Sequence, residues 1–123
     1  MKADGVELDV QLTKDGELVV IHDETVDRVS GEKGFVKDYT LKELKRLNVS
    51  KHMPSYDKKT RIPTLMRCFD LLKNTEMTIN IELKKTVSYS TKIWRKRYWR
   101  SWKSMICLTE SGAHHLIMSR LCA

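Results

Sequence analysis

The segment from Gly5 to Leu12 alternates without interruption between aliphatic and polar side chains. A period of two is typical of a β-strand that buries one of its faces. The aliphatic face carries Val6, Leu8, Val10 and Leu12, and the other face carries Glu7, Asp9 and Gln11. Acidic residues are depleted from strands. The fold must therefore leave one side of this strand in water or make use of its carboxylates.

Residues 78–84 repeat this pattern later in the chain. Their aliphatic face carries Ile79, Ile81 and Leu83, and their polar face carries Asn80, Glu82 and Lys84. Two helices are predicted between the strands, because Thr40 and Glu43 form a capping box and Thr64 is suited to cap an apolar helix. With a second strand over residues 18–22, the order of these elements along the chain is two strands, two helices and a third strand.

A β-hairpin is predicted directly after the first strand. Asp15-Gly16 suits a two-residue type I′ turn, and an apolar strand follows over residues 18–22. In that register Asp9 faces His22, and Glu7 lies on the diagonal. A histidine beside carboxylates is suited to proton transfer near neutral pH. We therefore expect His22 to lie next to both acids.

The polar faces allow two interpretations. Their carboxylates are either solvent-facing residues of a one-sided sheet or ligands of a hard cation such as Mg²⁺ or Ca²⁺, which binds oxygen atoms. The residues by themselves leave both interpretations open.

The basic charge of the chain is confined to its C-terminal part. The formal net charge is +7 over 123 residues, but residues 1–85 carry +1 and residues 86–123 carry +6. The second part also holds Trp94, Trp99 and Trp102. Interleaved basic and aromatic side chains are used by single-stranded nucleic-acid binders, which makes binding through this tail an alternative function. The charge does not lie on the domain, so no nucleic-acid partner is expected.

The cysteines and the hydropathy profile indicate the compartment. Cys68, Cys107 and Cys122 form no C-x-x-C pair, which favours ordinary thiols in a reducing environment. No apolar run approaches the ~18–20 residues that span a bilayer. The N-terminus lacks the apolar core of a secretory signal. A cytoplasmic location is therefore predicted, and the sequence says nothing about membrane association of a longer form.

Several separate motifs together resemble the glycerophosphodiester phosphodiesterase family. They are Gly5-Val-Glu-Leu-Asp-Val-Gln-Leu-Thr-Lys-Asp-Gly16, Val-Val-Ile-His-Asp23, Asp27-Arg28, Ile62-Pro-Thr-Leu65 and Ile79-Asn-Ile-Glu-Leu-Lys84. Their order and spacing match the family over about residues 3–85. The resemblance implies a (β/α)₈ barrel that hydrolyses glycerophosphodiesters to an alcohol and glycerol 3-phosphate with a divalent cation, in lipid and glycerol metabolism. A small-molecule glycerophosphodiester is the implied substrate.

The resemblance also assigns roles by position. The implied metal ligands are Glu7, Asp9 and Glu82. Lys84 corresponds to the lysine that contacts the phosphate, and His22 corresponds to one of two catalytic histidines. Asp23 is expected to orient local backbone, and Arg28 is expected to be structural.

The resemblance further implies a partial TIM barrel of the phospholipase C-like phosphodiesterase type, truncated at both ends. The family's His-Arg motif would lie before residue 1, and its later strands would follow residue 85. Residues 1–85 are therefore expected to form a partial family domain. This chain alone is expected to be inactive and unstable as a monomer, because its strand edges and an aliphatic face would lack partners.

Residues 86–123 are expected to be a basic, Trp/Arg-rich tail that is read out of frame after about Tyr89 and is poorly ordered. The family pattern stops after Lys85, where an acidic amphipathic helix should follow, and one permitted set of codons encodes such a helix in a shifted frame. A further alternative is another phosphodiesterase on the same barrel, such as a phospholipase. The motifs that end at Leu65 and Lys84 favour the glycerophosphodiester family.

Overall fold

A computed structural model describes residues 3–51, 53, 55, 59–84 and 87, together with the backbone of residues 107–110 and 115–119. The strands are β1 (Gly5–Leu12), β2 (Leu18–Val20), β3 (Thr78–Leu83), β4 (Cys107–Glu110) and β5 (His115–Ser119). The α-helices are α1 (Asp27–Ser30), α2 (Leu41–Leu44) and α3 (Leu65–Leu72), and Val36–Asp38 forms a 3₁₀ turn. The strands and capped helices predicted from the sequence are confirmed.

The strands form one mixed sheet in the order β2-β1-β3-β5-β4. β1 and β3 are parallel, and their register runs from Gly5 beside Thr78 to Val10 beside Leu83. β2 is antiparallel to β1, and β5 is antiparallel to β3. The parallel pair requires a crossover connection, and α3 forms part of it. This β-α-β arrangement is the α/β architecture that the family resemblance implied.

The aliphatic faces of β1 and β3 pack against α3. Leu65 and Phe69 of the helix join Val10, Ile81 and Leu83 of the strands in one buried cluster. Each of these five side chains is at most 6% exposed. Burying them removes apolar surface from water and holds the helix across the parallel pair.

β2 lies between two hydrophobic clusters, which explains why its sequence is almost wholly apolar. Leu18 belongs to the cluster under α3, whereas Val19 and Ile21 point into a second cluster. The second cluster also includes Leu44 of α2, which is fully buried. The Thr40 hydroxyl accepts the Glu43 N–H at the start of α2, and the capping box predicted there is present.

The predicted register of the hairpin is wrong by one residue. β1 and β2 pair Val10 with Val20, so Asp9 lies opposite Ile21 instead of His22. The Ile21 N–H donates to the Asp9 carbonyl oxygen at 3.0 Å. Because strand side chains alternate, a slip of one residue reverses which side chains share a face.

The cause of the different register lies in the turn. A type I′ turn needs positive φ at both central residues, but Gly16 has φ of 80° and no described non-glycine residue has positive φ. The loop therefore has three residues and is closed by the Thr13 N–H donating to the Glu17 carbonyl at 2.9 Å. Two hydrogen bonds fix the Asp15 side chain: its carboxylate accepts one from the Thr13 hydroxyl and one from the Leu41 N–H.

The tail contributes two strands to the sheet. β4 and β5 pair with each other, and β5 continues the sheet beyond β3. Both pairings are antiparallel, whereas neighbouring strands of a (β/α)₈ barrel are parallel. The three tryptophans and the change at Tyr89 lie outside the described residues, so the out-of-frame tail stays a prediction.

No helix in the described part of the chain has the length and apolar character needed to cross a membrane.

Two leucines of α3 offer a matched test of this packing. Leu65 is 1% exposed and Leu71 is 66% exposed. Leu65→Ala should lower the free energy of unfolding by about 2–5 kcal/mol, because it leaves a cavity in the cluster. Leu71→Ala, on the same helix, should change it by less than about 0.5 kcal/mol. Urea denaturation of both variants checks the difference, and equal losses would contradict the assigned burial.

Candidate active site

The parallel pairing of β1 and β3 brings three carboxylates together. Asp9 is beside Glu82 in the register, and Glu7 is beside Asn80. Residues two apart share a face of a strand, so all three acids emerge on one side of the sheet. One carboxylate oxygen from each of Glu7, Asp9 and Glu82 lies within 4.8 Å of the others. An oxygen-only set of donors at this spacing fits a hard divalent cation.

Lys84 extends from the end of β3 and bridges two of these acids. Its Nζ donates a hydrogen bond to Glu82 Oε1 at 2.7 Å and forms an ion pair with Asp9 Oδ1 at 3.0 Å. The pKa of Lys84 is raised, first by the hydrogen bond to Glu82 and then by the contact with Asp9. With every group ionised, three carboxylates and one ammonium leave a net charge of −2. That charge complements a divalent cation.

The acids also affect one another. The pKa of Glu7 is raised above its ordinary value of 4.5, first by partial desolvation and then by the negative charge of Asp9. Asp9 Oδ1 is buried and, within the described residues, accepts no well-aligned hydrogen bond. The Lys84 ammonium lies 3.0 Å from that oxygen, so the three acids share one positive group. A bound cation would offset the negative charge that remains.

Asn80 contributes a further oxygen at the edge of the cluster. Its side chain is on the polar face of β3, and its Oδ1 is buried without a hydrogen-bond partner among the described residues. From the sequence, Asn80 was assigned to this face without a role. Its amide, two residues before Glu82 on the same strand face, was the signal for a further oxygen donor.

His22 lies outside the carboxylate cluster as the structure describes it. Its Nδ1 is 2.9 Å from Asp23 Oδ1, and its side chain is 69% exposed. No described hydrogen bond or ion pair joins its ring to Glu7 or Asp9. The expectation that His22 directly faces Asp9 is wrong, because it depended on the two-residue turn.

Asp23 binds two side chains at once. Arg28 donates from Nε to Asp23 Oδ2 at 2.8 Å and from Nη2 to Oδ1 at 3.0 Å, while His22 also contacts Oδ1. The pKa of Asp23 falls to about 2, first because of the hydrogen bonds from Arg28 and then because of His22. Asp23 was expected to orient backbone, but its described carboxylate contacts are to side chains. Arg28 is structural in the sense that it holds Asp23.

Gln11 attaches the main chain of His22 to β1. Its Nε2 donates to the His22 carbonyl oxygen at 3.2 Å, and its side chain is almost completely buried. From the sequence, Gln11 was recognisable only as a polar residue on the same face as Glu7 and Asp9. Its contact with His22 depends on how the chain leaves β2, which alternation along β1 does not encode.

Comparison with known proteins identifies relatives with a common description. A family model described as the glycerophosphoryl diester phosphodiesterase family matches residues 1–119. A glycerophosphodiester phosphodiesterase of Caldanaerobacter subterraneus subsp. tengcongensis is 55% identical over 82 residues, which cover 67% of this chain and 34% of that protein. One from Bacillus altitudinis is 49% identical over 86 residues, which cover 69% and 35%. The chain therefore spans about a third of the length of these curated relatives.

Solved structures of phosphodiesterases also match the fold of this chain. A phosphodiesterase of Oleispira antarctica, in complex with the product sn-glycerol-3-phosphate, matches with a TM-score of 0.69 and 29% identity, over 80% of this chain and 41% of that one. A glycerophosphodiester phosphodiesterase of Agrobacterium tumefaciens matches with a TM-score of 0.67 and 29% identity, over 85% and 42%. The predicted fold class, a partial TIM barrel of the phospholipase C-like type, is confirmed.

The contacts of Asp23 predict a loss of stability in acid. Its pKa is lowered from 3.8 to about 2, so the folded chain binds this proton more weakly than the unfolded chain. The stabilisation is complete above about pH 4 and is lost as the pH falls from 4 towards 2. Asp23→Asn should remove this part of the pH dependence of the free energy of unfolding, and Arg28→Gln should remove most of it. Denaturation curves at several pH values between 4 and 2 measure this. If the free energy of unfolding of Asp23→Asn falls with pH as steeply as that of the unchanged chain, the assignment is contradicted.

Proposed function

The chain belongs to the glycerophosphoryl diester phosphodiesterase family, and from that membership we propose that its carboxylate cluster holds the cation of a glycerophosphodiester-hydrolysing site. The observation that carries the proposal is the meeting of Glu7, Asp9 and Glu82 within 4.8 Å on aligned parallel strands. In barrels of this architecture the reacting groups lie at the carboxyl ends of the strands.

The cluster suits Mg²⁺ or Ca²⁺ because its donors are all oxygen atoms. Glu7, Asp9 and Glu82 would be the ligands, and the buried Asp9 Oδ1 is an acceptor without a well-aligned donor in the described residues. A divalent cation bound there would neutralise charge on a phosphoryl group and polarise its oxygen atoms.

Lys84 and His22 would supply charge stabilisation and proton transfer for phosphodiester hydrolysis. The Lys84 ammonium lies at the cluster and would pair with a phosphate oxygen, which stabilises charge that develops during the reaction. His22 would accept a proton from an attacking hydroxyl or donate one to the leaving alkoxide. Its high exposure leaves the imidazole accessible to substrate. The roles of Lys84 and His22 are part of the proposal.

The substrate class follows from the family. The related phosphodiesterase of Oleispira antarctica was solved with its product sn-glycerol-3-phosphate. We infer that a small glycerophosphodiester is also the substrate here, and that an alcohol and glycerol 3-phosphate are the products. The match to this family favours that reading over another phospholipase-type enzyme on the same barrel. The nucleic-acid alternative depends on side chains outside the described residues.

We also propose that the catalytic part of the chain ends near Lys85 and that residues 86–123 are a separate tail. The antiparallel pairing of β5 with β3 supports this boundary, because the next strand of a (β/α)₈ barrel would be parallel. The family match itself runs to residue 119. Sequencing the gene tests the out-of-frame origin: a stop codon soon after Tyr89 in the shifted frame would contradict it.

The cation site predicts a specific loss of affinity. Glu7→Gln and Glu82→Gln keep the side-chain size but remove a negative ligand, so each should weaken Mg²⁺ or Ca²⁺ binding at least about tenfold. Titration calorimetry of the 123-residue chain measures this. Glu32→Gln, an exposed acid in the loop after α1, is the matched control and should bind as the unchanged chain does. Equal affinity in all four proteins would contradict the site.

Catalysis is tested in a complete barrel. Residues 3–84 of this chain replace the corresponding third of the Caldanaerobacter relative, which is 55% identical over 82 residues. The hybrid should hydrolyse glycerophosphocholine when a divalent cation is added. His22→Ala in the hybrid should lower kcat by about 10²–10⁴ while cation affinity is retained. Unchanged turnover in that variant would exclude His22 as the proton-transfer group.

A further inference from the structure

We propose that Asp23 and Arg28 are positioning residues that hold the His22 ring in one tautomer, with the proton on Nδ1 and with Nε2 left to exchange a proton with the substrate. This inference rests on the proposed function, because it concerns how the proposed proton-transfer group is prepared. Asp23 and Arg28 act through His22, and neither is assigned a contact with the substrate.

The first support is a continuous chain of contacts. Arg28 makes two parallel hydrogen bonds to the Asp23 carboxylate, at 2.8 and 3.0 Å, and Asp23 Oδ1 lies 2.9 Å from His22 Nδ1. A two-point contact between guanidinium and carboxylate sets the orientation as well as the distance. The carboxylate therefore cannot rotate freely away from the imidazole.

The second support is the protonation state of the partner. Asp23 is ionised near neutral pH, where an ordinary aspartic acid has already lost its proton, and an ionised carboxylate only accepts hydrogen bonds. The His22 nitrogen that faces it must then be the donor. A neutral imidazole carries one proton, so a proton on Nδ1 leaves Nε2 with its lone pair. A proton can be accepted only at that nitrogen.

The third support is that the ring is exposed and needs such a restraint. The side chain of His22 is 69% exposed, whereas that of Asp23 is 24% exposed. An exposed imidazole with no fixed partner samples both ring flips and both tautomers. Asp23, which is more buried, provides a fixed acceptor beside the mobile ring.

The arginine is itself placed by a firmly attached helix. Arg28 is the second residue of α1. The helix begins directly after Val26, which is fully buried in the second core cluster. The Ser30 hydroxyl donates to the Val26 carbonyl oxygen at 2.7 Å. The Asp27 carboxylate accepts the Gly34 N–H at 3.1 Å, which ties down the following loop. The backbone position of Arg28 is thus determined by the core, and its side chain, which is 66% exposed, is oriented by the paired hydrogen bonds of its guanidinium to Asp23.

The main chain of His22 has its own attachment. Gln11 of β1 donates to the His22 carbonyl oxygen at 3.2 Å from a fully enclosed position. Gln11 also shares its strand face with Asp9. The backbone of His22 is therefore anchored to the strand that bears the carboxylates, and its ring is anchored to α1.

The test reads the tautomer of His22 directly. The hybrid barrel that carries residues 3–84 is labelled with ¹⁵N-histidine, and long-range ¹H–¹⁵N correlation spectra are recorded at about pH 8.5, where an ordinary histidine with a pKa of ~6.5 is neutral. His22→Gln identifies the His22 signals among those of the other histidines. The unchanged hybrid should show Nδ1 as the protonated nitrogen.

Two variants remove the restraint at different points. Asp23→Asn removes the ionised acceptor and should shift His22 from a predominant Nδ1–H form to a predominant Nε2–H form, which a free imidazole prefers. Arg28→Gln leaves Asp23 ionised but free to rotate, so it should give a mixture of the two forms. Arg28→Lys keeps the charge but loses the paired geometry, so its mixture should retain more of the Nδ1–H form. Asp70→Asn is the matched control, because Asp70 pairs with Lys73 at the end of α3 and takes no part in the contacts of His22. It should leave the tautomer unchanged.

The outcomes are decisive in either direction. A predominant Nε2–H form in the unchanged hybrid, or an unaltered Nδ1–H form in Asp23→Asn, overturns the proposal. In the hybrid enzyme, Asp23→Asn should lower kcat and leave cation affinity intact. If the unchanged hybrid shows no hydrolysis while the tautomer responds as expected, the proposed function fails and the positioning role stands.

Discussion

The parallel register of β1 and β3 is the constraint on which the site depends. It sets Asp9 beside Glu82, and the alternation of strand side chains then directs Glu7 to the same side. On the opposite side the same register stacks Val10 beside Leu83, and α3 covers them. The apolar packing on one face therefore stabilises a concentration of negative charge on the other.

The three carboxylates of the cluster repel one another, and a bound cation would offset that repulsion. Lys84 offsets part of it through contacts at 2.7 and 3.0 Å with Glu82 and Asp9. The pKa of Glu7 is nevertheless raised, first by desolvation and then by the charge of Asp9. Perturbed carboxylates held close together are common at sites that bind a ligand. The structure thus joins a site suited to a hard cation with a lysine suited to a phosphate.

His22 reaches its position by a different route from the acids. It follows β2, and its placement depends on a turn, a buried glutamine and a short helix. β2 itself packs on both faces, with Leu18 in one cluster and Val19 in the other. The backbone that leads into His22 is therefore well packed, although the imidazole ring is exposed. Rigid support of an accessible group is what proton transfer requires.

The sequence by itself determined the strands, the two capped helices and the shared polar face of Glu7, Asp9 and Glu82, because these depend on local periodicity and capping. It also contained the motifs of the family. The tertiary structure alone decided the hairpin register and the partner of His22. The register depended on whether Asp15 adopts positive φ, which it does not, and its carboxylate accepts a hydrogen bond from Leu41, 26 residues away. A contact between distant segments leaves no periodic pattern in the chain, so only the folded structure shows it.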